Sequence, residues 1–150
     1  MPRTSDAGKG TPSQAIKGHT MILYTTLGSS DLARSKTFYD AVLTPLGATI
    51  VHDDDHALSY RAGTGPTAGL MLMKPHNGAP ASHGNGVMVA LAANSPDQVD
   101  DIYDAAMATE HATCEGEPGE RDCVPGLYAA YFRDPDGNKL GALYFGPGPA

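Results

Sequence analysis

Apolar positions along the chain change period several times, and each change marks an element. Met21 to Leu27 reads Met-Ile-Leu-Tyr-Thr-Thr-Leu, short, aromatic and β-branched, and stops at Gly28-Ser29-Ser30, which predicts a strand. Ser30 then occupies a helix N-cap position with Asp31 in the first turn, and Leu32, Tyr39, Val42, Leu43 and Leu46 recur on one helical face. Pro45 and Gly47 close that helix. Ala48 to Val51, Leu58 to Ala62 and Gly69 to Met73 read as strands, separated by the Asp53-Asp54-Asp55 turn and by Gly63-Thr64-Gly65-Pro66. The order is βαβββ.

Lys74 to Asn85 carries Pro75, Gly78, Pro80 and Gly84 among polar residues and reads as a linker. The pattern then restarts. Gly86 to Ala92 is strand-like, and Ser95-Pro96-Asp97-Gln98 is a capping box with proline at the first helical position. Val99, Ile102, Tyr103, Ala106 and Met107 form a helical stripe. After a polar loop, Leu127 to Phe132 and Lys139 to Phe145 make a hairpin around Asp134-Pro135-Asp136-Gly137-Asn138. Sliding the chain by 64 places Phe38-Tyr39-Asp40-Ala41 on Ile102-Tyr103-Asp104-Ala105 and Leu27 on Leu91, which supports a duplication. Each half alone leaves an open concave face, and two halves side by side can enclose a pocket. Residues 1 to 20 show neither period and read as a flexible tail ahead of a domain spanning 21–146, with modules at about 21–74 and 86–146.

Composition narrows the function classes. A length of 150 residues with 41% hydrophobic content suits one domain with a core, and a net charge of -7 disfavours nucleic acid, which needs clustered Lys and Arg. No apolar run approaches the roughly 20 residues that span a bilayer, so neither nucleic acid nor membrane is an expected partner and a cytoplasmic location follows by default. Cys114 and Cys123 are too few for a disulfide scaffold and are not spaced Cys-x-x-Cys; both read as free thiols.

The opening Met21 to Gly28, Ser30-Asp31-Leu32 and Phe38 to Leu43 with Leu46-Gly47, together with the closing Pro125 to Phe132 and Asp134-Pro135-Asp136-Gly137-Asn138, resembles the vicinal oxygen chelate superfamily of glyoxalases, bleomycin-resistance proteins and extradiol dioxygenases. The similarity covers about residues 21 to 146. It implies an α+β fold of two βαβββ modules forming a concave, curved mixed sheet around a cavity with helices outside, commonly in a homodimer. It also implies that metal-dependent members use His or Glu from the first and last strands of each module to hold a divalent ion that acts as a Lewis acid. Here those positions fall on Tyr24, Met71, Met88 and Gly141. A neutral thioether, a protonated phenol and a glycine are poor ligands for a hard cation, so no cofactor is expected, and a divalent metal is the lesser alternative.

Strand parity extends the candidate pocket. If Tyr24 faces inward, so do Thr26 and Ile22, Met71 and Met73, Met88 and Ala90, Gly141 and Leu143, giving a methionine-rich apolar lining. Tyr128 and Tyr131 point to opposite faces, so one of them can stack on or hydrogen-bond a ligand. Cys123 lies in a charged loop where Arg121 could lower its thiol pKa, against the plainer reading of an unreactive loop cysteine. His52-Asp53-Asp54-Asp55-His56 reads as a solvated turn before a metal site, and His76 and His83 as linker residues that could fold over a cavity mouth. These features favour a metal-independent protein that binds a small, partly apolar molecule. The alternatives are a lyase, isomerase or dioxygenase with a non-standard metal site, and a scaffold whose pocket has closed.

Overall fold

The computed structural model describes residues 21–64 and 69–147; the tail expected at residues 1 to 20 lies outside them. The first module runs β1 (Thr25–Gly28), α1 (Leu32–Leu43), β2 (Thr49–Asp53), β3 (Ala57–Arg61) and β4 (Leu70–Met73), with a short 3-10 turn at Thr44–Leu46 after the helix. The second runs β5 (Val89–Ala92), α2 (Pro96–Met107), β6 (Thr113–Glu120), β7 (Leu127–Arg133) and β8 (Lys139–Phe145). Both are βαβββ, and the strand orders β1-β4-β3-β2 and β5-β8-β7-β6 are the same. Thr26 sits opposite Met71, and Ala90 sits opposite Gly141, in matching parallel ladders. The duplication therefore extends to individual positions.

The first strand is shorter than the apolar run that predicts it. Its parallel partner β4 pairs only from Leu70 onward, opposite Thr25, so Met21 to Tyr24 precede the ladder and stay exposed. Met88 likewise precedes β5. Asp31, not Ser30, caps α1: its carboxylate accepts from the Arg34 N–H at 3.0 Å, while Ser30 uses its N–H on Asp136. In α2, Ser95 caps Gln98, and the Gln98 side chain returns to the Asn94 N–H and also donates to the Pro45 carbonyl at 2.8 Å.

The polar stretch after α2 contains a strand that its sequence hides. Thr113–Glu120 reads Thr-Cys-Glu-Gly-Glu-Pro-Gly-Glu, with no alternation, yet it pairs with β7 through a register broken around Gly116. The pairing with β7 imposes the extended state.

One core joins the modules. Phe38, Tyr39 and Val42 of α1, Val99, Ile102 and Ala106 of α2, and Leu58, Leu72, Ala130, Phe132 and Leu140 from the strands are fully or nearly fully buried together. α1 packs on α2 and on β3 and β4, while α2 packs on β6, β7 and β8. The helices thus meet each other between the helix-facing sides of two separate four-stranded sheets, which do not close into a barrel. The arrangement agrees with the expected α+β fold of two βαβββ modules. Phe38 meets Phe132 across the modules with ring centroids 6.2 Å apart, so the two helices and both sheets share one buried core.

The Asp-Pro-Asp-Gly-Asn segment does more than turn a hairpin. Asp136 accepts from the Ser30 N–H, Arg34 Nη2 and Ser35 Oγ of the first module, and Asn138 Nδ2 donates to the Gly28 carbonyl at 2.9 Å. Lys74 to Asn85, expected as a linker, is docked over this junction. The Ala81 N–H donates to Ser30 Oγ at 2.8 Å, and an added Cβ on Gly137 would lie 2.6 Å from the His83 ring. Among the described residues, no helix is long and apolar enough to cross a membrane.

The acidic run after β2 is a turn. Asp54 accepts from the His56 and Ala57 N–H groups and pairs with His52 at 2.8 Å. Those backbone donors, with His52 helping, lower its carboxyl from 3.8 to about 2. The native state therefore releases this proton at lower pH than the unfolded chain does, so the stability it contributes is complete above about 4 and is lost as pH falls toward about 2. Asp54→Asn is expected to flatten the pH dependence of the urea midpoint within that window.

Candidate functional site

Strand alternation divides the second sheet into two faces. Phe132, Leu140 and Ala142 are fully buried on the α2 side, and Tyr128 lies there too, its hydroxyl donating to Asp100 of α2 at 2.8 Å. The opposite face carries Met88, Ala90, Ala129, Tyr131, Gly141 and Leu143. Of the two tyrosines singled out from sequence, only Tyr131 reaches the open side.

A row of small residues crosses that face at one register. Gly116 pairs with Tyr131, Tyr131 with Gly141, and Gly141 with Ala90. A Cβ on Gly116 would come within 3.1 Å of Tyr131 Cδ2, and one on Gly141 within 3.3 Å of Tyr131 Cδ1. The ring fills the space that both neighbours leave. The same Cβ on Gly141 would lie 2.6 Å from Leu143 Cδ1 and 3.3 Å from Met88 Sδ. Met88, Leu143 and Tyr131 thus converge over Gly141 and fill the space that its missing side chain leaves.

One edge of this face is cationic. Arg121 Nη2 donates to the Glu117 and Ala129 carbonyls at 2.6 and 2.7 Å, filling the irregular stretch of the β6–β7 ladder. Its guanidinium carbon lies 5.1 Å from the Tyr131 ring centroid, and Lys139 Nζ lies 5.6 Å from it. Glu115 pairs with Arg133 and, at 3.0 Å, with Lys139. Arg133 first and Lys139 second hold its carboxyl below the usual range. Arg121 is therefore committed to backbone and aromatic partners, and Cys123 is exposed in the turn beyond it. Both cysteines are free.

The first sheet carries the equivalent face. Thr26 and Met73 line a recess of about 570 Å³ together with Leu27, Gly28, His56 and His76. Met71 pairs with Thr26 and with Ser59, half-buried, and Tyr24 stands exposed just ahead of β1. His76 thus lies at a recess, whereas His83 packs on Gly137. The structure gathers Met88, Tyr131 and Gly141 with Arg121 nearby on the second sheet, and Thr26 with Met71 and Met73 on the first. Lys139 and Gly116 escape the sequence reading. Parity with Gly141 points to Lys139, but nothing local marks Gly116, because its strand lacks alternation.

The equivalent positions Tyr24 and Met88, and Met71 and Gly141, place no carboxylate or imidazole where the superfamily's metal-dependent members hold their ion. Two thioethers, a phenol and a bare backbone do not fit a hard divalent cation. Among the described residues, no three His, Cys, Asp or Glu side chains converge in a ligating cluster.

Comparison with known proteins bears on the same features. A family profile described as Glyoxalase/Bleomycin resistance protein/Dioxygenase superfamily matches residues 19–141. A glyoxalase/bleomycin resistance protein from Albidiferax ferrireducens T118 is 42% identical, covers 83% of this chain and 98% of its own, and superposes with a TM-score of 0.74. A lactoylglutathione lyase from Agrobacterium tumefaciens, at 23% identity and TM-score 0.58 over 89% of this chain and 96% of its own, shares the fold. So does a glyoxalase-related enzyme from Fulvimarina pelagi, at 18% identity and TM-score 0.65 over 82% and 86%. No curated protein matches significantly. With two identically ordered βαβββ modules and a profile spanning nearly all of both, the chain belongs to the glyoxalase/bleomycin resistance/dioxygenase superfamily.

Proposed function

We propose that this protein is a metal-independent small-molecule binder with an apolar, methionine-rich pocket, acting as a cytoplasmic homodimer. The observation that carries the reading is the recess of about 570 Å³ on the first sheet, where Met73, Leu27 and Thr26 meet His56 and His76. Methionine adapts to irregular ligands, and a concave recess of this size suits a small molecule. The name of the relative at 42% identity, a glyoxalase/bleomycin resistance protein, is compatible with a binding role. Exposed apolar side chains support the homodimer: Tyr24, Met73, Met88 and Phe145 are 47%, 37%, 40% and 61% exposed around the open faces, a pattern that marks an interaction surface. A second copy laid on these faces completes each half-site. Two exposed free cysteines suit a reducing compartment.

Purified protein is expected to elute at twice its 15.6 kDa chain mass by light scattering and to carry far less than one equivalent of divalent metal by elemental analysis. A thermal-shift screen of hydrophobic drugs, catechols and aldehyde–glutathione adducts should find at least one stabilising class. At a hundredfold excess over Kd, a native-state ligand adds about 2.7 kcal/mol, or roughly 5–10 °C in Tm. A full equivalent of metal that is lost on substituting Met88 or Tyr24 would sink the metal-independent reading.

A further inference from the structure

We infer that the recess beside the ends of β1 and β4 takes an organic acid, with its carboxylate at Lys74, His56 and His76 and its apolar body on Leu27, Met73 and Pro75. The inference rests on the binding function proposed above and adds the ligand's charge class. These residues line a recess of about 570 Å³. That size falls within the roughly 300–1,000 Å³ of small-molecule sites. None of the lining residues is acidic, in a chain whose net charge is -7.

Strand pairing brings the basic side chains together. β3 and β4 run antiparallel with Ala57 opposite Met73, so His56 and Lys74 are the next pair outward, and the Lys74 N–H donates to the His56 carbonyl at 3.0 Å. Residues directly opposite in such a pair carry their side chains on one side of the sheet, about 5 Å apart. His76 follows two residues later, beyond Pro75.

These three basic groups differ from their counterparts elsewhere in lacking a counterion. Lys36 pairs with Asp40 and Asp53, Lys139 with Glu115, His52 with Asp54 and His111 with Glu110, while His83 packs on Gly137. Among the described residues, no carboxylate pairs with the side chain of His56, Lys74 or His76. Lys74 also borders a second recess, of about 480 Å³, where Asp31, Asp53, Asp54 and Asp55 stand. Asp31 is engaged in capping α1, Asp53 pairs with Lys36 at 3.6 Å, Asp54 pairs with His52, and Asp55 is exposed to solvent. Lys74 forms an ion pair with none of them, so its charge stays available to a ligand. The ammonium supplies the charge, and each imidazole supplies a ring N–H in either tautomer, which suits the two oxygens of a carboxylate. Leu27, Met73 and Pro75 offer the rest of the ligand apolar contact, which selects an amphipathic acid over a small bare one.

Isothermal titration of the full chain with 4-phenylbutanoate, its neutral amide 4-phenylbutanamide and acetate separates charge from apolar contact. 4-Phenylbutanoate is expected to bind at least about fivefold more tightly than either of the others, and to weaken with added salt while the amide does not. Lys74→Met should remove most of the preference for the acid and leave amide binding unchanged, Lys74→Arg should retain it, and His76→Leu should weaken acid binding a few-fold. Both positions are exposed and their side chains have no partner, so the variants are expected to fold, which an unchanged urea midpoint checks. Equal binding of acid and amide overturns the inference while leaving small-molecule binding intact. Acetate binding as tightly as 4-phenylbutanoate overturns the apolar half of the claim. Acid binding that survives Lys74→Met unchanged places the acid elsewhere, and the inference fails. If the three probes do not bind while a thermal-shift class stabilises the protein, the inference alone is defeated; if neither probes nor classes bind, the function beneath it falls as well.

Discussion

Asp134→Ala is expected to lower stability by about 3–5 kcal/mol, measured as the loss in unfolding free energy from urea titration. The side chain is only 2% exposed and is the acceptor for four donors: the Tyr39 hydroxyl at 2.6 Å, Asn138 Nδ2 at 2.8 Å, and the backbone N–H groups of Asp136 and Asn138 at 2.9 and 2.8 Å. Alanine leaves these donors without water or partner. The same substitution loosens the turn whose Asp136 and Asn138 hold the first module, so the loss should appear as one cooperative transition. Asp134→Asn separates charge from acceptor count. Both Tyr39 and Asn138 donate to the same carboxylate oxygen, and an amide nitrogen in that place would oppose both of them. A cost close to that of alanine is therefore expected.

The pH dependence of this group runs opposite to that of Asp54. Desolvation raises the Asp134 carboxyl despite the hydrogen bonds from Tyr39, Asn138 and Asp136 that pull it down. The native state keeps the proton to higher pH than the unfolded chain, so this group's contribution falls as pH rises through the raised value. The two groups thus change stability in opposite directions and in different ranges, Asp54 as pH falls below about 4 and Asp134 as pH rises above the ordinary carboxylate value.

Phe38→Ala is expected to cost about 3 kcal/mol, at the lower end of the range for a buried phenylalanine. The ring is 1% exposed, meets Tyr39 edge-on at 4.9 Å and reaches Phe132 of the other module at 6.2 Å. A recess of about 520 Å³ between α1 and α2, lined by Phe38 with Ala41, Ala105 and Ala108, already opens to the same place. Water can enter the enlarged space, which limits the cavity penalty. Phe38→Leu should lose about 1 kcal/mol, and the difference between the two variants, read from denaturation midpoints, checks that packing is the cause.

Elements whose apolar period is carried by their own residues are legible in the chain. The stripe of α1, the capping box of α2 and the alternation of β7 and β8 each locate an element within a residue or two. β6 is different. Gly116, Pro118 and Gly119 interrupt any period, and only the pairing with β7 makes the segment a strand. Asp31 displaces Ser30 as the cap of α1 because Ser30 is drawn to Asp136 and Ala81, partners 106 and 51 residues away. The site divides in the same way. Parity along β7 separates Tyr128 from Tyr131 without saying which faces the helix. That was decided when α2 settled on one side and took Tyr128 through Asp100.

By itself the chain determined its family, its two βαβββ modules and the positional equivalence of Tyr24 with Met88 and of Met71 with Gly141, because these follow from local period and from motifs in a fixed order. Tertiary structure alone decided that α1 and α2 meet between two separate sheets, that the segment from Lys74 to Asn85 is docked, and that Gly116 and Gly141 bracket Tyr131 on an open, cationic face. The physical reason is range. A helix or strand period is set by neighbours a few residues apart, whereas this face is made by side chains from four strands whose register no local pattern specifies.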